Sequence, residues 1–148
     1  MSSIALAGGI LAATLLAAHP AGADTASTGS PAGCWQAQAS EGDMPPADVE
    51  IKFNVDRTLK LTGPRDENGT PYFTGYGNWA PKSGGTFQFT VNHPLPGGPS
   101  GEARSSLNGK LSSYQAFSAE GQTYHHYDDG TVSGPNVIKI TGKRVSCT

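Results

Sequence analysis

An all-β fold, a barrel or a sandwich, is what this sequence predicts, and three observations carry the prediction. Short runs in which apolar and polar residues alternate recur along the chain, the period of a strand with one face buried and the other wet. Turn chemistry separates these runs at intervals of roughly 8 to 12 residues, and the 148 residues include 20 Gly and 11 Pro, enough to punctuate the chain throughout. Beyond the first 23 residues no stretch shows a helical period.

The first segment reads as an address. Residues 4–18 are an almost unbroken apolar run, too short for a membrane span and suited to the hydrophobic region of a secretory signal. His19 and Pro20 interrupt it, and Ala21, Gly22 and Ala23 have the small-x-small form that a signal peptidase reads. Cleavage is therefore expected after Ala23, with residues 1–23 as a signal peptide and a secreted product. No Lys or Arg precedes the apolar run, which points to a start upstream of Met1. Residues 24–32 are rich in Ala, Ser, Thr, Gly and Pro, bury no apolar area and are expected to be a flexible N-terminal arm. Residues 33–148 then form a single domain, long enough to bury one core. Ten Lys and Arg stand against 12 Asp and Glu. With that balance there is neither a basic stripe for nucleic acid nor a polybasic helix for stable membrane insertion.

Within the domain the elements follow in order. Gly33, Cys34 and Trp35 open the first strand. Val49, Ile51, Phe53 and Val55 alternate with polar residues, and after a turn at Asp56 and Arg57 so do Leu59 and Leu61, which makes a hairpin. Residues 64–71 are a loop by composition, and 72–80 are an aromatic, Gly-rich strand. Ser83, Gly84 and Gly85 turn into 86–93, where Phe87, Phe89 and Val91 alternate with polar neighbours and His93 shares their parity. Residues 94–101 are a Pro- and Gly-rich loop. Asn108 and Gly109 read as a two-residue hairpin. Residues 111–118, 122–127 and 131–145 complete the strands, separated by Glu120 and Gly121 and by Asp128, Asp129 and Gly130.

Export gives the two cysteines their meaning. Cys34 has Cys147 as its one possible intrachain partner, and in an oxidising compartment such a pair reads as a structural bridge. A bridge there makes the first and last strands neighbours and closes the sheet.

A Gly-x-Trp opening the first strand, up-and-down hairpins, and an Arg in the closing strand within Thr141, Gly142, Lys143 and Arg144 resemble the calycin pattern shared by lipocalins and their relatives. Gly77, Asn78 and Trp79 before a Gly turn, followed by the alternation over 86–91, are similar to small exported lipocalin-like proteins of high-GC bacteria. The resemblance implies an eight- or nine-stranded antiparallel up-and-down β-barrel, with Trp35 plugging one end and Arg144 packed across it. The outer helix and Thr-Asp-Tyr signature of classical lipocalins are missing from this chain. An avidin-like or immunoglobulin-like arrangement is the alternative, although the Cys spacing is wrong for the latter's inter-sheet bridge.

Chemical motifs are sparse. His93, His125 and His126 follow no metal-ligand spacing, and adjacent strand residues point to opposite faces, so His125 and His126 cannot share a site. No metal or cofactor is expected. There is no Gly-x-Ser-x-Gly elbow, and Asp128 and Asp129 before Gly130 read as a turn instead of an acid/base pair. Tyr72, Phe73, Trp79 and Tyr127 are further aromatics that either fill the barrel or line a cavity. The side chains expected to line the barrel and meet a ligand are Phe53, Tyr76, Phe87, Phe89, His93, Tyr114, Tyr124 and His126.

Three functions fit such a chain. The first is an exported barrel that binds a hydrophobic or aromatic small molecule. The second is a cofactor-independent cyclase that folds its substrate in the barrel and excludes water. The third is a protease inhibitor or interaction module that offers the N-terminal arm to a protein partner. A cavity of about 300 Å³ or more separates the first two from the third.

Overall fold

The computed structural model describes residues 29–148; the expected leader, its cleavage site and most of the arm lie outside the described residues. Eight strands follow in order: β1 (Gly33–Glu41), β2 (Ala47–Phe53), β3 (Thr58–Thr62), β4 (Thr74–Pro81), β5 (Thr86–Pro94), β6 (Gly101–Ser113), β7 (Ala116–Tyr127) and β8 (Val132–Val145). Each pairs antiparallel with the next, and β8 pairs with β1, so the sheet closes into an up-and-down barrel and leaves no edge unpaired. The bridge forms as expected. Cys34 and Cys147 are joined with their Cα atoms 5.3 Å apart.

Alternation set the inward face correctly. Val49, Ile51, Phe53, Leu59, Leu61, Phe87, Phe89, Val91 and Ile140 are buried, and Ile138 is partly buried against them. Val55 is an exception: β2 ends at Phe53, and Val55 sits 86% exposed in the turn. The expected hairpin at Asn108 and Gly109 is also overturned. Both lie inside β6, and the chain reverses at Tyr114 and Gln115 instead. Gly109 is a glycine because the Phe87 ring of β5 lies over it and leaves no room for a Cβ; Gly121, read as a break, is pressed against the Ser106 carbonyl in mid-strand.

The inward side chains change size along the barrel. On β1 they run Trp35, Ala37, Ala39, Glu41; on β2, from the same end, Phe53, Ile51, Val49, Ala47; on β5, Phe87, Phe89, Val91, His93. The end built of Trp35, Phe53, Trp79, Phe87, Phe89 and Phe117 is solid. Phe53 meets Trp79, Phe87, Phe89 and Phe117 edge to face with ring centroids 5.3 to 6.2 Å apart. At the other end the inward residues include Ala39 and Ala47, and a cavity opens there. Ser105 and Thr123, opposite each other on β6 and β7, bury their hydroxyls by bonding one another at 2.9 Å.

The solid end is sealed by a stacked pair. Trp35 is 1% exposed, and the Arg144 guanidinium lies 4.3 Å from its ring centroid, directly across from it in the β1–β8 ladder. Tyr114 covers the other side of that guanidinium at 4.3 Å. Arg144 donates from Nε to the Tyr114 carbonyl, from Nη1 to that of Ala32 and from Nη2 to that of Ser30. The Trp35 indole N–H donates to the Pro31 carbonyl at 2.8 Å. The last residues of the arm, Ser30 to Ala32, are thus strapped across the barrel's closed end. Gly33 is required by the same arrangement: its φ is 133°, and a Cβ there would stand 2.6 Å from Arg144 Nη1.

Candidate functional site

The open end is a cup of about 500 Å³. Its wall combines the small inward residues with Val49 and Ile138, and its rim is made by three loops, through Met44 and Pro45, through Pro64 and Phe73, and through Leu95 to Pro99. The wall is therefore mostly apolar, and the volume exceeds the roughly 300 Å³ at which drug-sized sites begin.

His93, Glu41 and His125 enter it, with the Ser40 and Tyr127 hydroxyls also in the lining. His93 continues the inward parity of β5 and stacks on Phe73, with ring centroids 4.1 Å apart. Its Nδ1 donates to the Pro94 carbonyl at 2.8 Å, so in the neutral ring Nε2 is an acceptor. Burial lowers the pKa of His93 below the ordinary value, outweighing the Pro94 bond and the nearby Glu41, which act to raise it. Glu41 ends β1 on the inward side, and its Oε1 accepts from Asn136 Nδ2 at 2.7 Å and lies 2.9 Å from His125 Nε2. Neither His93 Nε2 nor Glu41 Oε2 has a protein partner among the described residues. Because no buried side-chain nitrogen or oxygen is left unsatisfied among those residues, both atoms are accessible, and both residues line the cup.

The expected lining residues divide. Phe53, Phe87 and Phe89 point inward but belong to the solid end, packed on one another beneath the cup. His93 lines the cup. Tyr76, Tyr114 and Tyr124 do not: they are 63%, 60% and 38% exposed, on the opposite parity of β4 and β7 or, for Tyr114, in the β6–β7 turn. His126 is likewise corrected. Of the adjacent pair it is His125 that shares the inward parity of Phe117, Ala119 and Thr123, and His126 stands across from Glu102 outside the cup. Glu41, His125 and Asn136 were missed as site residues. For Glu41 the signal was present, because it extends the series Trp35, Ala37, Ala39 by one step of two.

Outside the barrel, Asp56 and Asp129 each accept from the amide and hydroxyl of the Thr two residues on, which holds both carboxyls below their usual pKa. These are turn bonds, as the sequence indicated for Asp129. Among the described residues no group of three or more His, Cys, Asp or Glu is placed to hold a metal ion.

No protein-family model and no curated protein matches this sequence. Among solved structures a redesigned beta barrel is similar, with a TM-score of 0.56 and 21% identity, covering 78% of this chain and 91% of that one. A likeness at that identity supports the shared barrel and nothing about ligand or activity.

Proposed function

We propose that this protein is an exported calycin-like barrel that binds a hydrophobic or aromatic small molecule in the cup at its open end. One observation carries the reading: one end of the barrel is packed with aromatic rings, while the other opens into a mostly apolar cavity of about 500 Å³ lined by residues such as Ala39, Ala47, Val49 and Ile138. An interior serving stability alone would be filled, because unfilled volume costs contacts. The Trp35 and Arg144 plug supports the calycin likeness, and the disulfide supports an oxidising destination.

The test is titration with the neutral, environment-sensitive dye Nile red. Wild type and Tyr76→Ala, altered on the outer face, are expected to bind it alike. Ala39→Trp places an indole in the cup and is expected to abolish binding while keeping a cooperative urea transition. Unchanged dye affinity in a folded Ala39→Trp would refute the cup as the site.

A second reading, the cofactor-independent cyclase, is favoured by the His125 and Glu41 pair, which puts an oriented imidazole beside an apolar chamber. It ranks second because that pair is also bonded to Asn136 at the rim, above the deep part of the cup. Native mass spectrometry of protein from its own host distinguishes a retained ligand from a released product. The inhibitor reading is disfavoured by the strap, which ties the end of the arm to the closed end of the barrel.

A further inference from the structure

The polar groups of the cup narrow the class of ligand. The residues that line it include one carboxylate, Glu41, and no Lys or Arg. Two acceptors there have no protein partner among the described residues, Glu41 Oε2 and Nε2 of His93, whose Nδ1 proton is given to the Pro94 carbonyl; the hydroxyls of Ser40 and Tyr127 complete the polar lining. The Asn136 amide donates to Glu41 Oε1, and His125 Nε2 lies 2.9 Å from the same oxygen, so both neighbours fix the position of the carboxylate. A half-enclosed site whose one charge is a carboxylate repels an anion, whereas a cation with N–H donors pairs with both of these acceptors and neutralises that charge. Phe73, stacked on His93, adds a flat apolar face beside them.

Resting on the small-molecule reading above, we propose that the ligand is a cationic amphiphile, an amine whose ammonium is held by Glu41 and His93 Nε2 and whose aryl or alkyl body lies in the cup against Val49 and Ile138.

Three probes of one shape decide it. Tryptamine, 2-(indol-3-yl)ethanol and indole-3-acetate share an indole body and differ in the head group. Calorimetric titration of wild type at neutral pH and low salt is expected to rank amine over alcohol over acid, with the amine favoured over the alcohol by about tenfold or more. In Glu41→Gln, which keeps the shape and an acceptor for His125, that preference is expected to shrink to about threefold or less. If the variant does not fold, the wild-type ranking decides alone. An alcohol or acid that binds as tightly as the amine overturns the proposal. So does Nile red binding with none of the three probes bound, which leaves the cup reading intact. If Nile red fails to bind as well, the small-molecule reading itself fails. Equal amine preference in wild type and a folded Glu41→Gln would overturn the role of Glu41.

Discussion

Two residues hold their places by stacking a cation on an indole, at two different balances of energy. Trp35 is fully buried, so Trp35→Ala removes a large apolar surface and leaves a cavity, with an expected loss of about 3 to 5 kcal/mol. Arg144→Ala removes two ring contacts and three bonds to carbonyls and is expected to cost less, roughly 1 to 3 kcal/mol, because water can replace part of what is lost at the barrel end. Urea denaturation of both variants and the double mutant should show coupling above about 0.5 kcal/mol; additivity would mean the contact contributes nothing. Arg57 is the second case. It lies 4.2 Å over Trp79, yet it occupies the left-handed region at φ 74°, a position that the equivalent turn at Asp129 gives to Gly130 at φ 88°. For a residue with a Cβ that conformation costs about 1 kcal/mol, similar to an exposed cation–π contact. Arg57→Gly is therefore expected to be near neutral, whereas Arg57→Ala keeps the strain, loses the stack and should be less stable than the Gly variant by about 1 kcal/mol. Equal denaturation midpoints for the two would show that the strain is absent.

Among the elements, β1 and β8 carry closure, and their pairing explains how much the sequence could reveal. Cys34 and Cys147 are separated by 113 residues, so the bridge removes a long loop from the unfolded chain, and a Cys34→Ser, Cys147→Ser double variant is expected to lose about 2 to 5 kcal/mol in denaturant midpoint analysis. A barrel that unfolds at the same denaturant concentration without the bridge would mean that the β1–β8 ladder suffices. Strands such as β2, β3 and β5 were legible because one wet face and one dry face write a period of two. The β6–β7 hairpin was misread because a glycine marks both a reversal and a close approach in mid-strand. The rings and carbonyls that press on Gly109 and Gly121 come from other strands, which local sequence does not show. The cup was illegible for a related reason. Inward parity could be assigned to His93, but which end of each strand lies beside which depends on register, and only register sets Ala39, Ala47 and Ile138 around one void. Tyr76, Tyr114 and Tyr124 were expected inside on aromatic character alone, yet a half-wet sheet accepts tyrosine on its outer face, as at Tyr76 and Tyr124, and Tyr114 sits in the β6–β7 turn over Arg144.

At the scale of the whole molecule, stability and ligand affinity should share one acid limb. His93 has its pKa lowered in the fold, chiefly by burial, from an ordinary value of 6.5, so its neutral form is the one the fold prefers. The unfolded chain then takes up this proton first as the pH falls. The contribution of His93 to stability is full above about 6.5 and is lost progressively as the pH drops below it, until the folded imidazole also protonates. Asp56 and Asp129 act in a separate window. Their folded pKa values lie below the ordinary 3.8, so what they contribute is present above it and disappears only at lower pH. The charged groups that act on His93 are Glu41 and His125 in the cup and Glu102 outside it; the two carboxylates favour its charged form and His125 opposes it, and burial remains the larger influence. Urea midpoints measured from about pH 8 down to about pH 5 should therefore fall, and the fall should be smaller in His93→Gln, whose side chain does not titrate. Binding provides the independent check. Protonated His93 places a positive charge and a donor where an acceptor stood, so over the same interval tryptamine should lose affinity more steeply than the neutral alcohol of the same shape. Parallel pH dependence for the two probes would show that no charge beside the head group changes in that interval, and the assignment of His93 to the ligand's ammonium would fall with it.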